Sequence, residues 1–234
     1  MQQKFATLAC VIALTPSISF AGPVNRVYSP GVEKGEFELE AIGTRTRDNN
    51  KDLRGEESTR LGAGYGLTSR WFAEAYVEFE KVNGESRELE SWEVENRFEI
   101  TEHNQFWLNT GLLLEVEKIR DEDLKEVTVG PILQKQLGDW VVTANILAQH
   151  QYGSEAESNK WQSVGAAQIK YRYSKQFEPA IEYYGDESND YAGPAILGST
   201  KLGSQKLKYQ AGWLFGARKD TPDQIVRWVL ELEF

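Results

Sequence analysis

Polar and apolar residues alternate with a period of two along most of the chain after Gly35. A period of two indicates β-strands, because successive side chains of a strand point to opposite faces. The C-terminal run shows it clearly, with single residues separating Val226, Trp228, Leu230, Leu232 and Phe234. The chain is therefore predicted to be all-β.

We predict twelve strands of about ten residues, the length at which a tilted strand crosses a bilayer. They are expected to begin near Glu36, Thr59, Trp71, Leu89, Phe106, Lys125, Trp140, Trp161, Phe177, Ala195, Lys206 and Gln224. Short turns are expected at 67–70, 101–105, 136–139, 174–176 and 201–205, and longer loops at 46–58, 81–88, 119–124, 153–160, 185–192 and 217–223. This alternation is typical of outer-membrane barrels, and an even strand number places both termini on the periplasmic, short-turn side.

The aromatic residues distinguish this barrel from a soluble β-sandwich, which would also alternate. On the apolar parity, aromatic side chains fall near both ends of the predicted strands, and small or aliphatic residues occupy the middle. The periplasmic set is Trp71, Phe98, Phe106, Trp140, Tyr171, Tyr173, Phe177, Tyr209 and Phe234, and the opposite set is Phe79, Trp92, Trp161, Tyr183, Phe215 and Trp228. Two aromatic girdles around an apolar band are typical of strands that span a membrane. The pattern favours a transmembrane, antiparallel up-and-down β-barrel.

Composition agrees with this interpretation. The 234 residues carry a formal net charge of −10, and the mean hydropathy is −0.52. Such an acidic chain lacks the basic patch that nucleic-acid binding requires. The low hydropathy is expected, because one face of every strand is polar and points inward.

The N-terminus predicts export. Residues 1–21 have Lys4 as the only charge, an apolar run, and small residues before a cleavage site after Ala21, as in a secretory signal peptide. The only cysteine, Cys10, lies within it, so disulfides are excluded from the exported protein. We expect residues 22–34 to form a periplasmic tail or a small plug, and residues 35–234 to form the barrel.

The last seven residues, Trp228 to Phe234, resemble the C-terminal strand of bacterial outer-membrane barrel proteins. Residues 65–70, 177–179 and 209–216 are also similar to small proteobacterial outer-membrane barrel proteins of poorly characterised function. The resemblance implies a Gram-negative outer-membrane location, contact with membrane lipids and lipopolysaccharide, and recognition of Trp228, Leu232 and Phe234 by the barrel-assembly machinery. It implies no catalytic motif.

The inward parity collects an excess of acids. Sixteen are expected there: Glu36, Glu38, Glu40, Glu74, Glu78, Glu80, Glu93, Glu95, Glu99, Glu115, Glu117, Glu126, Glu178, Glu182, Glu231 and Glu233. Seven bases accompany them: Arg60, Arg97, Lys170, Arg172, Lys206, Lys208 and Arg227. For lumen electrostatics we select Glu74, Glu78, Glu93, Glu95, Arg97, Glu115, Arg172, Glu182, Arg227 and Glu231. These charges either line a narrow pore that favours small solutes or cations, or fill a structural barrel as an ion-pair network.

An outer-membrane lipid hydrolase is the rival class. Such enzymes use a serine activated by a histidine two residues before it, on the lipid-facing side. His150 lies on the outward parity near a loop, but Tyr152 stands where the serine would be. We therefore predict no catalytic residues. With two histidines and no exported cysteine we also expect no transition-metal site and no cofactor.

Overall fold

A computed structural model describes residues 26–49, 55–82, 84–102, 105–156, 158–219 and 221–234. The predicted signal peptide and residues 22–25 of the predicted tail lie outside the described residues. The strands are β1 Phe37–Arg47, β2 Glu57–Thr68, β3 Trp71–Lys81, β4 Glu88–Glu99, β5 Asn109–Ile119, β6 Lys125–Leu137, β7 Trp140–Tyr152, β8 Gln162–Tyr171, β9 Glu178–Gly185, β10 Asp190–Leu202, β11 Gln205–Gly216 and β12 Gln224–Glu233. Within these described ranges, no helix is long and apolar enough to span a bilayer.

The twelve strands form one closed barrel in which each strand pairs with its neighbours in sequence. All of the pairings are antiparallel, and β1 closes the barrel against β12, with Ala41 opposite Leu230. Closure leaves no sheet edge with unpaired backbone groups in lipid. The predicted twelve-stranded, up-and-down β-barrel is confirmed. We call its two rims the turn end, where β1 begins and β12 ends, and the loop end.

One predicted strand start is clearly displaced, because β10 begins at Asp190 and not near Ala195. Gly193 and Pro194 interrupt the alternation, yet Pro194 pairs with Ile181 of β9. Proline lacks a backbone N–H, and the pairing of β10 with β11 is interrupted at this dipeptide. The Gly130–Pro131 dipeptide of β6 repeats the arrangement, with Pro131 paired to β5 and the pairing to β7 interrupted.

The connection between β4 and β5 is longer than predicted. It runs from 100 to 108, because β5 begins at Asn109 and not near Phe106. Phe106 and Trp107 lie in this connection and are 62% and 77% exposed. Lys135 of β6 lies over the Trp107 ring, 5.1 Å from its centroid, and hydrogen-bonds to the Trp107 carbonyl oxygen.

Large apolar side chains cover the outside of the barrel. Aromatic pairs lie along the turn end: Phe37 with Phe234, Trp71 with Phe98, Trp140 with Tyr171, and Tyr173 with Phe177. A further pair, Trp213 with Phe215, lies toward the loop end. Between the rims the outer surface carries exposed Val94, Val116, Ile146, Ile181 and Leu230. In water, an exposed apolar surface of this size would favour aggregation. In lipid, it matches the apolar band of a transmembrane barrel.

Both apolar and charged side chains fill the lumen. One apolar cluster joins Tyr184, Tyr191, Leu214 and Ile225 with Ala166 toward the loop end. A second apolar cluster joins Leu113, Ile132, Leu147 and Val164 with Tyr28, a residue that precedes the first strand. Two smaller apolar clusters join Ile42, Tyr76 and Val229, and Ala180, Ala195 and Leu197. The charged residues selected from the sequence lie between these clusters.

Candidate functional site: the charged lumen

The structure places nearly all of the selected charges inside the barrel. Glu74, Glu78, Glu93, Glu95, Glu182, Arg227 and Glu231 are buried, and Arg97 and Glu115 are half-buried. Arg172 is more exposed, because it follows β8 at the turn end, where it lines the mouth of the lumen. The parity of the strands therefore positions these side chains, since alternate residues of a barrel strand face inward.

The lumen charges are distributed unevenly around the barrel. Twelve of the sixteen predicted inward acids lie on or beside β1, β3, β4, β5 and β6, whereas the predicted inward bases on β1 to β6 are Arg60 and Arg97. The other four acids, on β9 and β12, accompany five bases on or beside β8, β11 and β12. We call the wall from β1 to β6 the acidic wall.

Residues 26–35, the N-terminal segment, enter the lumen from the turn end and supply a further base to the acidic wall. The Arg26 guanidinium lies 2.6 Å from Glu40, 3.4 Å from Glu74 and 3.1 Å from Glu95. Three strands thus contribute one carboxylate each to a single buried cation. A buried charge is tolerated when its hydrogen bonds and counter-charges are supplied in this way.

The residues after Arg26 fix the segment across the lumen. Tyr28 and Asn145 of β7 exchange two hydrogen bonds, from the Tyr28 backbone N–H to Asn145 Oδ1 at 2.8 Å and from Asn145 Nδ2 to the Tyr28 carbonyl at 3.0 Å. The Tyr28 hydroxyl donates to Glu115 at 2.5 Å. Val27 packs against the apolar cluster around Tyr184. Three consecutive residues therefore contact three different parts of the barrel wall.

The segment then returns to the turn end. The Val32 N–H donates to Glu99 at 3.1 Å, and the Gly35 N–H donates to the Gly66 carbonyl at 2.8 Å. Gly35 adopts a φ of 83°, a left-handed conformation that glycine accepts without a steric cost. This turn lets the segment leave the lumen and continue into β1.

Ion pairs hold other parts of the lumen. On the acidic wall, Arg60 pairs with Glu93 and lies 4.0 Å from Glu78. On the opposite wall, Arg227 and Glu182 form a pair at 2.6 Å in which both side chains are 0% exposed.

At the turn end the pairs are more exposed. Lys208 lies 2.5 Å from Glu231 and also pairs with Glu233, and Arg172 lies 3.9 Å from Glu178. The bases on this wall match the acids beside them, unlike those on the acidic wall.

Two cavities meet at the N-terminal segment. The larger, of about 430 Å³, opens at the turn end and is lined by Arg97, Lys170, Lys206 and Lys208 among others. The smaller, of about 60 Å³, lies toward the loop end and is lined by residues of the acidic wall. Arg26 and Tyr28 line both cavities, so their side chains separate the two. The lumen is narrowed at this level.

Sequence reasoning missed Arg26, Tyr28 and Asn145 as members of the site. The first two lie in a segment without a strand pattern, and Asn145 is one of many polar residues on the inward parity. A signal existed in the charge count of each wall, because two predicted inward bases leave the twelve inward acids of β1 to β6 largely uncompensated. Arg26 and Lys34 are the bases available between the predicted cleavage site and the first strand.

The residues predicted for assembly lie at the closure of the barrel. Trp228 and Leu232 of β12 are opposite Gly43 and Leu39 of β1. The Phe234 backbone N–H donates to the Phe37 carbonyl at 2.9 Å. Their role in recognition by the assembly machinery stays a prediction.

His150 makes contacts that differ from those of a catalytic dyad. Its Nδ1 lies 2.7 Å from the Gln151 carbonyl oxygen, and its ring stacks on Tyr152 at 4.4 Å and meets Trp161 edge-on at 5.1 Å. Among the described residues, no serine or threonine hydroxyl hydrogen-bonds to this ring. These contacts place His150 in the aromatic surface near the loop end.

Comparison with known proteins identifies the architecture and not a family. No protein-family model matches the sequence, and no curated protein matches it. The resemblance of its short motifs to small proteobacterial barrel proteins therefore stays an expectation.

Solved outer-membrane channels share the fold. An outer-membrane channel from Pseudomonas putida F1 matches with a TM-score of 0.58 and 11% identity, over 91% of this chain and 99% of that one. The KdgM porin in complex with disordered oligogalacturonate matches with a TM-score of 0.56 and 9% identity, over 85% and 98%. The protein thus has the architecture of a bacterial outer-membrane barrel, in agreement with its predicted location.

Proposed function

We propose that this protein is a narrow outer-membrane pore that favours cations and small cationic solutes, and that its N-terminal segment restricts passage. The observation that carries the proposal is the lumen itself, in which a large polar cavity at the turn end meets an acidic wall across Arg26 and Tyr28. A pore lined with excess carboxylates attracts cations and repels anions.

The restriction follows from the contacts of the N-terminal segment. Arg26 and Tyr28 are buried, and they hold the segment to β1, β3, β4, β5 and β7 through side-chain hydrogen bonds. Conduction through this level of the barrel requires the segment to shift. Arg26→Ala removes the guanidinium that three carboxylates share, and it also makes the lumen more negative.

Single-channel recording in planar bilayers tests both parts of the proposal. Under a KCl gradient, the wild-type protein should show low conductance with a reversal potential of cation-selective sign. Arg26→Ala should raise the conductance or the open probability and strengthen the cation preference. Arg70→Ala is the matched control, since Arg70 is an exposed arginine of a turn-end connection that pairs with Glu102 at 2.6 Å.

Two results would contradict the proposal. A reversal potential of anion-selective sign would exclude a cation-favouring pore. If neither the folded wild-type protein nor folded Arg26→Ala gave channel currents, conduction would be excluded.

A structural barrel with a filled lumen is the second candidate, and the Arg227–Glu182 pair with its apolar surroundings favours it. Tyr184, Leu214 and Arg227 are 0% exposed, so part of the lumen on that side is as fully buried as a soluble core. If the protein has this role, deletion of residues 22–35 should leave the bilayer silent. The same deletion should enlarge the conductance of a restricted pore.

A further inference from the structure

The acidic wall carries opposite charges on its two faces. Glu40, Glu74 and Glu78 of β1 and β3 are buried in the lumen. Alternate residues of the same strands face outward, and on this outward parity β1, β2 and β3 carry three bases and one acid. All four lie at the loop end: Arg45, Arg47, Lys81 and Glu57. The remainder of this outward face, as far as the turn end, is uncharged.

The register of the strands brings these charges together. Glu57 of β2 is opposite Arg45 of β1 and Lys81 of β3. Arg47 lies two residues beyond Arg45 on the same face. Arg87, in the connection after β3, adds a fourth base and lies 2.9 Å from Glu57. We call these four bases the basic patch.

One carboxylate does not balance four bases. Glu57 is shared by Arg87 and by Arg45, which lies 3.7 Å away with 61% of its side chain exposed. Among the described residues, Arg47 and Lys81 have no carboxylate within ion-pair distance. Four bases and one acid give this outer surface a formal charge of +3.

Two acids at the neighbouring rim belong to the inward parity and make contacts of their own. The Asp223 N–H donates to Asp48 at 2.9 Å, and Asp223 accepts hydrogen bonds from the Asn49 N–H and amide at 3.2 and 2.8 Å. These bonds link the residues after β1 to those before β12. They leave the outward side of the basic patch open.

The outward face becomes apolar toward the turn end. Leu61 of β2 and Val77 and Phe79 of β3 have the outward parity, and Leu61 is 46% exposed. Lipid surrounds this part of an outer-membrane barrel. A basic rim next to an apolar surface is complementary to a molecule with an anionic head and apolar chains.

The position of the basic patch in the membrane indicates which lipid it meets. The longer loops of outer-membrane barrels lie on the extracellular side, so the loop end contacts the outer leaflet. The main lipid of that leaflet is lipopolysaccharide, whose lipid A anchor carries phosphate groups at both ends of a disaccharide. From β1 to β3 the patch extends over two inter-strand spacings, about 10 Å. This width suits separate phosphates better than the single phosphate of a phospholipid.

We propose that the basic patch binds the phosphate groups of lipid A, with Arg45, Arg47 and Lys81 as the principal contacts. Arginine forms paired, charge-assisted hydrogen bonds with phosphate oxygens, and lysine adds a point charge. Glu57 orients Arg45 and Arg87, while the apolar surface beside them contacts the acyl chains. The site lies outside the barrel, so it does not rest on the proposed pore.

Two further bases on the outer surface are less suited to this role. Lys118 of β5 is opposite Lys125 of β6. The Lys118 ammonium already donates to the Ile119 carbonyl at 2.6 Å and to the Glu122 carbonyl. Only Lys125 of this pair remains for a ligand, so the basic patch over β1 to β3 is the stronger site.

Native mass spectrometry of lipopolysaccharide-free protein, refolded in a non-ionic detergent with EDTA, tests the site with purified lipid A. EDTA removes the divalent cations that would otherwise bridge phosphates to carboxylates. We expect the wild-type protein to bind lipid A at least about tenfold more tightly than enzymatically dephosphorylated lipid A or phosphatidylglycerol. Equal binding of dephosphorylated lipid A would overturn the proposal, and equal binding of phosphatidylglycerol would overturn the choice of lipid A as the occupant. This comparison requires no variant, so it is independent of folding defects.

A double variant locates the site on the barrel. Each base near an anionic lipid contributes roughly fivefold in affinity, so Arg47→Gln/Lys81→Gln should weaken lipid A binding at least about tenfold. Arg70→Gln/Lys135→Gln is the matched control, because it removes two bases at the turn end, where Arg70 is exposed and Lys135 has the outward parity. Its affinity should stay within about twofold of wild type. An equal loss in the control would overturn the proposed position.

Salt dependence separates a charge-based site from a structural effect of the substitutions. Added NaCl screens interactions between exposed charges, so it should weaken lipid A binding by the wild-type protein more than binding by Arg47→Gln/Lys81→Gln. Equal salt dependence of the two proteins would contradict phosphate binding by these bases. Lipid binding is measured without transport, so the site and the proposed pore can fail separately.

Discussion

The Arg227–Glu182 pair gives the sharpest test of how the lumen is held together. Arg227 Nη2 lies 2.8 and 2.6 Å from the two oxygens of Glu182, and both side chains are 0% exposed. In Arg227→Met, the Glu182 carboxylate keeps the donors Gln168 Nε2 at 2.7 Å and Tyr184 hydroxyl at 3.1 Å, but it loses its counter-charge. Breaking one side of a buried ion pair costs about 3–5 kcal/mol.

Because Gln168 and Tyr184 still donate hydrogen bonds to Glu182, we expect the loss of stability to lie near the lower end of this range. We expect Arg227→Met to lower the free energy of unfolding by about 3 kcal/mol, which is roughly a hundredfold in the folding equilibrium constant. The double variant Arg227→Met/Glu182→Gln should recover a large part of this loss, since a neutral pair in place of a buried ion pair is often tolerated.

Equilibrium urea unfolding in phospholipid vesicles, followed by tryptophan fluorescence, measures these free energies. Arg70→Met is the control, because its pair with Glu102 has side chains 54% and 51% exposed, and such surface pairs contribute about 0–1 kcal/mol. A loss for Arg227→Met no larger than that of the control would refute the argument. A double variant as unstable as the single one would also refute it, since the uncompensated Glu182 charge would not be the cause.

Three further changes test other parts of the molecule. In Gly43→Ala, the added Cβ would lie 2.2 Å from the Trp228 indole. We therefore expect urea unfolding to show a loss of about 1 kcal/mol in stability. Unchanged stability would show that the indole moves aside freely. The backbone N–H and the hydroxyl of Ser154 lower the pKa of Asp123. This contact stabilises the loop above the ordinary aspartate pKa and is lost as pH falls through the lowered value. Ser154→Ala keeps the N–H donor, so an NMR titration should show the Asp123 pKa rising part of the way, and no rise would exclude the hydroxyl's contribution. Phe234→Ala should reduce the folded protein in cell outer membranes but refold normally in vesicles; equal losses in both would indicate a purely structural role.

The barrel was predictable from sequence because lipid outside it favours apolar side chains and the lumen favours polar ones, so the two kinds alternate along each strand. Residues such as Val94 and Glu95 are neighbours in the chain, yet one faces outward with 51% of its surface exposed and the other is 1% exposed in the lumen. Strict alternation of this kind survives in most strands. At Gly193–Pro194 the sequence pattern of apolar and polar residues fails, although burial still alternates there. The pairing with β11 is interrupted at the missing N–H, and there the predicted strand start was displaced.

The candidate site was only partly predictable. Parity alone assigned residues such as Glu74 and Glu95 to the interior, but no periodic pattern connects Arg26 to them. The contact spans 69 residues between Arg26 and Glu95, and it depends on how a segment without regular structure folds back into the barrel. Local sequence patterns carry no information on such a contact, whereas the charge balance of the whole wall does.

The uneven distribution of charges around the barrel affects the orientation of any molecule in the lumen. Because the carboxylates of β1 to β6 face a wall on which bases and acids nearly balance, the electric field has a component across the barrel as well as along it. A solute with opposite charges at its two ends would lower its energy by turning its positive end toward β3, β4 and β5. The fold could therefore sort solutes by the arrangement of their charges as well as by their total.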